Sequence, residues 1–191
     1  MKDINILIVG VGGQGTLLAS VILGKIALEE GLDVKLAEVH GMSQRGGSVV
    51  THVRISENEV HSPLIEEGGA DIIVAFEELE AYRWISYLKK GGAFFVNTQQ
   101  IMPMPVTIGA AEYPAEIVEF LKANASDVTA IDALEIAEEC GSAKAVNTVL
   151  LGAMAQKLPF DKETWIRQIE TTVKPKFVEL NKIAFEKGYN A

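Results

Sequence analysis

The sequence feature that most constrains the fold is a cluster of glycines directly after the first apolar run. Ile6–Val9 is apolar and mostly β-branched, which is typical of a strand buried on both faces of a sheet. Gly10, Gly12 and Gly15 then form a G-x-G-x-x-G motif, and apolar side chains recur at helical spacing from Leu17 onward. The sequence therefore predicts a strand, a tight turn and a helix that packs back onto the sheet.

This glycine turn, residues 10–15, predicts an anion-binding site. Glycines let a ligand approach the main chain closely, and the amides that open a helix carry partial positive charge. The candidate binding residues in the turn are Gly10, Gly12, Gly13, Gln14 and Gly15. The alternative is a turn that needs small residues for packing alone.

The turn departs from the ordinary dinucleotide-binding pattern. That pattern expects an acid about 20 residues after the glycines, at the end of the second strand. Glu38 ends the predicted strand Val34–Val39, but it lies somewhat late, and a glycine-rich loop follows it where a second helix is expected. We therefore expect no binding of NAD or NADP.

The loop that follows Glu38 is the most unusual part of the chain. Between His40 and Ser48 it combines three glycines with Gln44 and Arg45. Arginine suits phosphate or carboxylate, and its glycine neighbour Gly46 permits unusual backbone angles. Gln44, Arg45 and Gly46 are therefore candidate binding residues, and the alternative is a surface loop with a solvated arginine.

Strand and helix patterns alternate along most of the chain, which predicts an α/β fold. We expect three α/β/α layers around a mostly parallel, Rossmann-like sheet, with a helical C-terminal part and one domain spanning residues 1–191. Ligands bind beyond the carboxyl ends of such strands. That rim is predicted to collect the glycine turn, Glu38 with His40, Glu77, Asn97 with Thr98, and Asp132. Asn97 is a further candidate binding residue. We also expect an exposed or interface face on strand Ser48–Ile55, a loop at 101–105 and a helix over 113–123.

Composition limits the function classes. The formal net charge is −9 and no basic stripe compensates, which disfavours a nucleic-acid partner. No apolar run is long enough to cross a membrane, and the first residues do not resemble a signal peptide. The single cysteine, Cys140, fits a cytoplasmic protein and cannot supply the four thiolates of an iron–sulfur cluster.

Three motifs in order resemble the gamma-type domain of 2-oxoacid:ferredoxin oxidoreductases. They are Gly10–Gly15, Glu38–Val49 and Asn147–Ala153, and the resemblance spans nearly the whole chain. The middle motif is more similar to the stand-alone beta subunit of indolepyruvate:ferredoxin oxidoreductases than to the gamma chain of pyruvate-specific enzymes.

The resemblance implies an accessory subunit whose larger partner holds thiamine diphosphate and the iron–sulfur clusters. Together they would convert an arylpyruvate and coenzyme A to acyl-CoA and CO2 and reduce ferredoxin. For this chain we then expect no activity alone. We expect the glycine turn to contact the pyrophosphate of coenzyme A and Arg45 to contact a phosphate or the substrate carboxylate, with Gln44 or Asn97 nearby. The competing interpretations are a nicotinamide- or flavin-dependent reductase and a nucleotide-binding regulatory module, both based on the glycine motif alone.

Overall fold

The computed structural model describes residues 3–41 and 47–191, and a six-stranded sheet forms its centre. The strands are β1 (Ile4–Val11), β2 (Asp33–His40), β3 (Ser48–Ser56), β4 (Ala70–Ala75), β5 (Leu88–Asn97) and β6 (Asp127–Ile131). The helices are α1 (Thr16–Glu29), α2 (Glu78–Trp84), α3 (Met104–Thr107), α4 (Ile117–Asn124), α5 (Ala133–Glu139), α6 (Val146–Ala155), α7 (Lys162–Thr172) and α8 (Val178–Tyr189).

The strand order is β2-β3-β1-β4-β5-β6. β1, β4, β5 and β6 pair in parallel, whereas β3 runs antiparallel to both of its neighbours. Because β2 and β1 are each antiparallel to β3, they point in the same direction. The carboxyl ends of five strands therefore meet at one rim, and the predicted mostly parallel sheet is confirmed.

Helices cover both faces of the sheet. Successive residues of β1 point to opposite faces and show which helices pack on each. Ile6 and Ile8 pack into a core with α1, α5, α6, α7 and α8. Leu7 and Val9 pack into a second core with α2 and α4. The predicted three-layer arrangement and the helical C-terminal part are confirmed.

The prediction of an exposed or interface face on β3 is wrong. β3 lies between β2 and β1, and its polar residues Thr51 and His52 are buried. The Thr51 hydroxyl donates to the Glu38 carboxylate at 3.2 Å, and His52 Nδ1 accepts from the Ile65 amide at 3.1 Å. Hydrogen-bond partners within the chain allow these side chains to be buried. The alternation of apolar and polar residues therefore does not indicate a solvent-exposed face here.

Two predicted boundaries are also corrected. The predicted helix over 113–123 begins only at Ile117, after Glu116 with its left-handed backbone (φ 57°). The predicted loop at 101–105 contains the start of α3, with Pro105 in the first turn, where the missing amide hydrogen costs nothing.

Candidate functional site

The glycine turn connects β1 to α1 at the rim and requires glycine at two positions. Gly13 and Gly15 have positive φ angles of 100° and 87°, where a side chain would be strained. Gly15 is the N-cap residue of α1, and a Cβ atom there would lie 2.8 Å from Nδ2 of Asn147 at the start of α6. The turn is therefore fixed both by its own backbone and by a buried neighbour.

The Gln14 side chain holds the turn closed. Its Oε1 accepts from the Val11 amide at 2.7 Å, and its Nε2 donates to the Phe76 carbonyl at 2.9 Å, just beyond β4. A Cβ atom on Gly10 would lie 2.9 Å from this Oε1 and 3.0 Å from the Phe76 Cβ. The geometry thus gives Gln14 and Gly10 structural tasks, in addition to the ligand contacts predicted for them.

Asn97 lies at the rim, as predicted, but its side chain is fully buried. Nδ2 donates to the Phe76 carbonyl at 3.0 Å, and Oδ1 accepts from the Ala133 amide at 3.1 Å, where α5 begins. Both ends of the amide therefore join β5 to neighbouring elements. A direct contact from Asn97 to a ligand stays a prediction.

The predicted binding residues Gln44, Arg45 and Gly46 lie outside the described residues. Gly47, directly after them, accepts a 3.0 Å hydrogen bond from the Gly12 amide. The glycine turn is thereby joined to the start of β3, on the side of the turn where β2 ends.

Two clefts open on either side of the glycine turn. The larger has a volume of about 490 Å³, and the smaller about 390 Å³. The larger is lined by Gly13, Gln14, Gly15, Gln99, Ile101, Leu134, Ala143, Lys144 and Val146. The smaller is lined by Gly12, Gly13, Gly15, Thr16, Leu17, Glu38, His40 and Val49.

The described residues that line the two clefts differ in charge. Lys144 lines the larger cleft, and no carboxylate is among the described residues that line it. Glu38 lines the smaller cleft. Since a phosphate is attracted to an ammonium group and repelled by a carboxylate, the larger cleft suits a phosphorylated ligand better.

Sequence reasoning missed Gln99 and Lys144 as cleft residues. Gln99 follows the end of β5, and its Oε1 lies 3.4 Å from both Gln14 Nε2 and Asn97 Nδ2. The position of Gln99 next to the predicted rim residue Asn97 was an available signal. Lys144 comes from a 3-10 turn (Ala143–Ala145) before α6, and only the fold brings it to the glycine turn.

Glu38 reaches the smaller cleft, yet its strand position differs from that of the dinucleotide fold. In that fold the strand carrying the acid is the immediate neighbour of the first strand. Here β3 lies between β1 and β2. At a strand spacing of about 4.8 Å, the acid is displaced by about one strand width from its usual place.

A buried carboxylate organises the wall beside the larger cleft. Glu77 is 1% exposed, and its Oε1 accepts from the Ile101 amide at 2.9 Å and from the Tyr113 hydroxyl at 2.6 Å. Burial, reinforced by this carboxylate, raises the pKa of Tyr113 far above its ordinary value. Tyr113 therefore stays protonated and donates to Glu77, so both ends of the segment between Ile101 and Tyr113 are held.

The described residues contain no group of three or more His, Cys, Asp or Glu side chains that could hold a metal ion. Cys140 is half-buried at the far end of α5 from the rim, and one thiolate does not fit an iron–sulfur cluster. Across residues 3–41 and 47–191, no helix is long and apolar enough to span a bilayer.

Known proteins match the chain over its whole length. The model of the pyruvate ferredoxin/flavodoxin oxidoreductase family matches residues 5–191. The indolepyruvate oxidoreductase subunit IorB of Archaeoglobus fulgidus is 45% identical, over 98% of this chain and 94% of its own length.

Solved structures agree with these sequence matches. The gamma subunit of a keto/oxoacid ferredoxin oxidoreductase from Geobacter sulfurreducens PCA is 26% identical, with a TM-score of 0.73 over 98% of this chain and 96% of that chain. A 2-oxoglutarate:ferredoxin oxidoreductase from Magnetococcus marinus, solved with 2-oxoglutarate, coenzyme A and succinyl-CoA, has the same fold. Its TM-score is 0.74 at 21% identity, and the match covers all of this chain but 31% of the other. The chain therefore belongs to the pyruvate ferredoxin/flavodoxin oxidoreductase family, in which its full-length matches are subunits of 2-oxoacid oxidoreductases.

Proposed function

We propose that this chain is the small subunit of an indolepyruvate:ferredoxin oxidoreductase that also accepts other arylpyruvates. The observation that carries the proposal is 45% identity over nearly the full length of an indolepyruvate oxidoreductase subunit. A larger partner would bind thiamine diphosphate and the iron–sulfur clusters, because this chain, with its single cysteine, does not fit a cluster. The complex would release CO2, form acyl-CoA and reduce ferredoxin in the cytoplasm.

The contribution of this chain would be to bind and orient coenzyme A. Coenzyme A carries a pyrophosphate and a further phosphate, which need amide donors and cations. The larger cleft is lined by Gly13, Gly15 and the cationic residue Lys144, and its apolar residues Ile101, Leu134 and Val146 suit the uncharged part of the ligand. Arg45 is the second cation in this proposal.

The test of the subunit role is reconstitution with the purified large subunit. We expect oxoacid- and coenzyme-A-dependent reduction of ferredoxin only when both subunits are present, with indolepyruvate preferred over pyruvate and 2-oxoglutarate. Turnover by the small chain alone, or full turnover by the large subunit alone, would contradict the proposal.

The test of the coenzyme A site is steady-state kinetics of the complex with Lys144→Ala and Arg45→Ala. A charge-assisted contact contributes about 1.5–3 kcal/mol, so each variant should raise the KM for coenzyme A by about one to two powers of ten. The KM for indolepyruvate should stay unchanged. Lys90→Ala, at the opposite end of the sheet, is the control and should behave as the wild type. An unchanged KM for coenzyme A in both variants would show that neither cation binds it.

A further inference from the structure

Residues 98–111 contain no charged side chain and expose several apolar ones, and we call them the uncharged segment. The chain as a whole is 23% charged, yet this segment contains no Asp, Glu, Lys or Arg. Three of its large apolar side chains face solvent: Met102 is 49% exposed, Met104 70% and Ile108 68%. Depletion of charge with enrichment of methionine is typical of the centre of a protein–protein interface.

Hydrogen bonds within the chain hold the uncharged segment in place. Within it, the amides of Val106 and Ile108 donate to Pro103 and Met104 at 3.0 Å, and the Ala110 amide donates to Pro105 at 2.8 Å. Outside it, the buried Glu77 carboxylate holds Ile101 and the adjacent Tyr113. A surface held by such hydrogen bonds has less conformational entropy to lose when it binds.

The position of the uncharged segment points to one occupant. Gln99 and Ile101 belong both to this segment and to the wall of the larger cleft. A ligand bound in that cleft would have to react at cofactors that this chain does not hold. The chain that carries those cofactors must therefore approach the mouth of the cleft and cover the segment beside it.

A second copy of this chain is a poorer occupant. Each copy carries a net charge of −9, and like charges oppose self-association. In the Magnetococcus enzyme the same fold makes up 31% of a longer chain, so there the unit is covalently joined to other parts of the enzyme.

We propose that the uncharged segment is the surface on which the large, cofactor-bearing subunit docks, with Met104 and Ile108 as its main apolar contacts. This inference rests on the proposed function, since it requires that a large subunit exists. Methionine and isoleucine would fill apolar pockets of the partner, and the neighbouring Gly109 and Ala110 would allow its backbone to approach closely.

The experiment measures binding of the chain to its purified large subunit by isothermal titration calorimetry. The test variants are Met104→Glu, Ile108→Glu and the double substitution. The controls are Leu28→Glu and Ile183→Glu, which charge apolar side chains of similar exposure (64% and 49%) on α1 and α8. Circular dichroism and thermal unfolding first confirm that all variants fold.

We expect each test substitution to weaken binding about tenfold and the pair about 100-fold, with the controls within a factor of two or three of the wild type. Hydrogen exchange should slow at residues 98–111 in the complex. Tight binding by the double variant would overturn the docking surface and leave the proposed function intact. If the wild-type chain does not bind the large subunit, the proposed function itself fails. If the double variant abolishes only a homodimer, the surface belongs to a second copy.

Discussion

Side chains at the glycine turn can either contact a ligand or hold neighbouring elements together, and the sequence does not distinguish these two roles well. The motif correctly predicts a tight turn between β1 and α1, whereas the positive φ angles of Gly13 and Gly15 are known only from the structure. It does not predict that Gln14 bonds to Val11 and Phe76, because Phe76 reaches the turn only through the pairing of β1 with β4. For the same reason Asn97, a plausible ligand contact in the sequence, is a buried link between elements.

Substitution of the two left-handed glycines should separate backbone strain from steric conflict. Gly13→Ala meets no atom within 4 Å, so we expect only the cost of a left-handed alanine, about 1–2 kcal/mol. Gly15→Ala adds a contact at 2.8 Å with Asn147, which is 4% exposed and has little room to move. Urea unfolding should therefore show the larger loss of stability for Gly15→Ala. Equal losses would indicate that Asn147 relaxes freely.

His52 should make stability depend on pH. Burial lowers the pKa of His52, and its Nδ1 accepts the Ile65 amide, so the folded state holds the neutral ring. The unfolded chain takes up a proton near the ordinary pKa of about 6.5, whereas the folded chain resists it. The stabilisation is thus complete above pH 6.5 and is lost as the pH falls below it.

The measurement compares the free energy of unfolding at pH 7.5 and 5.5. His52→Gln, which keeps an acceptor for Ile65, should lose part of the decrease seen in the wild type. His61→Gln, at an exposed histidine, is the control and should keep it. The same pH dependence in all three proteins would contradict this role of His52.

Elements were easier to predict than residues, and their errors have physical causes. Strands and helices follow from the apolar periodicity, which reports burial directly. The start of α4 was predicted too early because the Tyr113 hydroxyl bonds to Glu77, far away in sequence, and this contact keeps Tyr113 outside the helix. The prediction of an exposed face on β3 was wrong because internal hydrogen-bond partners satisfy its polar side chains Thr51 and His52.

The crossing of α6 and α8 depends on two glycines. A Cβ atom on Gly152 would lie 2.2 Å from the Phe185 carbonyl oxygen, and one on Gly188 would lie 1.9 Å from that of Val149. Both positions are on helices, so only close backbone approach explains glycine there.

Alanine at either position should force the two helices apart. We expect Gly152→Ala to lower the free energy of unfolding toward the upper end of the about 1–3 kcal/mol typical of overpacking. Gly24→Ala in α1 is the matched control, because its Cβ would approach only the flexible end of Leu36 at 3.3 Å. The helix propensity of alanine should make that variant neutral or up to about 1 kcal/mol more stable. Thermal unfolding gives both values, and a stable Gly152→Ala protein would contradict the close crossing.

At the scale of the whole molecule, three ordered motifs were enough to predict the family, which the full-length matches confirm. The sequence predicted that Glu38 lies on the same rim as the glycine turn, and Glu38 does line the smaller cleft. It did not predict the larger cleft, because only the arrangement of the sheet and helices brings Lys144 to the glycine turn. The antiparallel direction of β3 could not be predicted either, because the sequence of a strand does not show which way it runs in the sheet.

The sheet order predicts that the chain does not bind NAD or NADP. With β3 between β1 and β2, Glu38 is displaced from the position that contacts a ribose in dinucleotide-binding folds. Calorimetric titration of the chain with either nucleotide should give no binding in the micromolar range. A micromolar constant that disappears in Glu38→Ala would instead support the dinucleotide interpretation.

The two tryptophans of the chain lie on opposite faces of the sheet, one within the first core and one packed against the second. Trp165 is fully buried and stacks on Phe185 in the core with α7 and α8, and its ring nitrogen is the one buried side-chain nitrogen or oxygen of the described residues without a hydrogen-bond partner. Trp84 is half-buried against the core with α2. Each layer of the molecule therefore has its own fluorophore, and single-tryptophan proteins would report the opening of one layer at a time. Coincident fluorescence transitions would mean that the sheet transmits unfolding between its two faces as one cooperative unit.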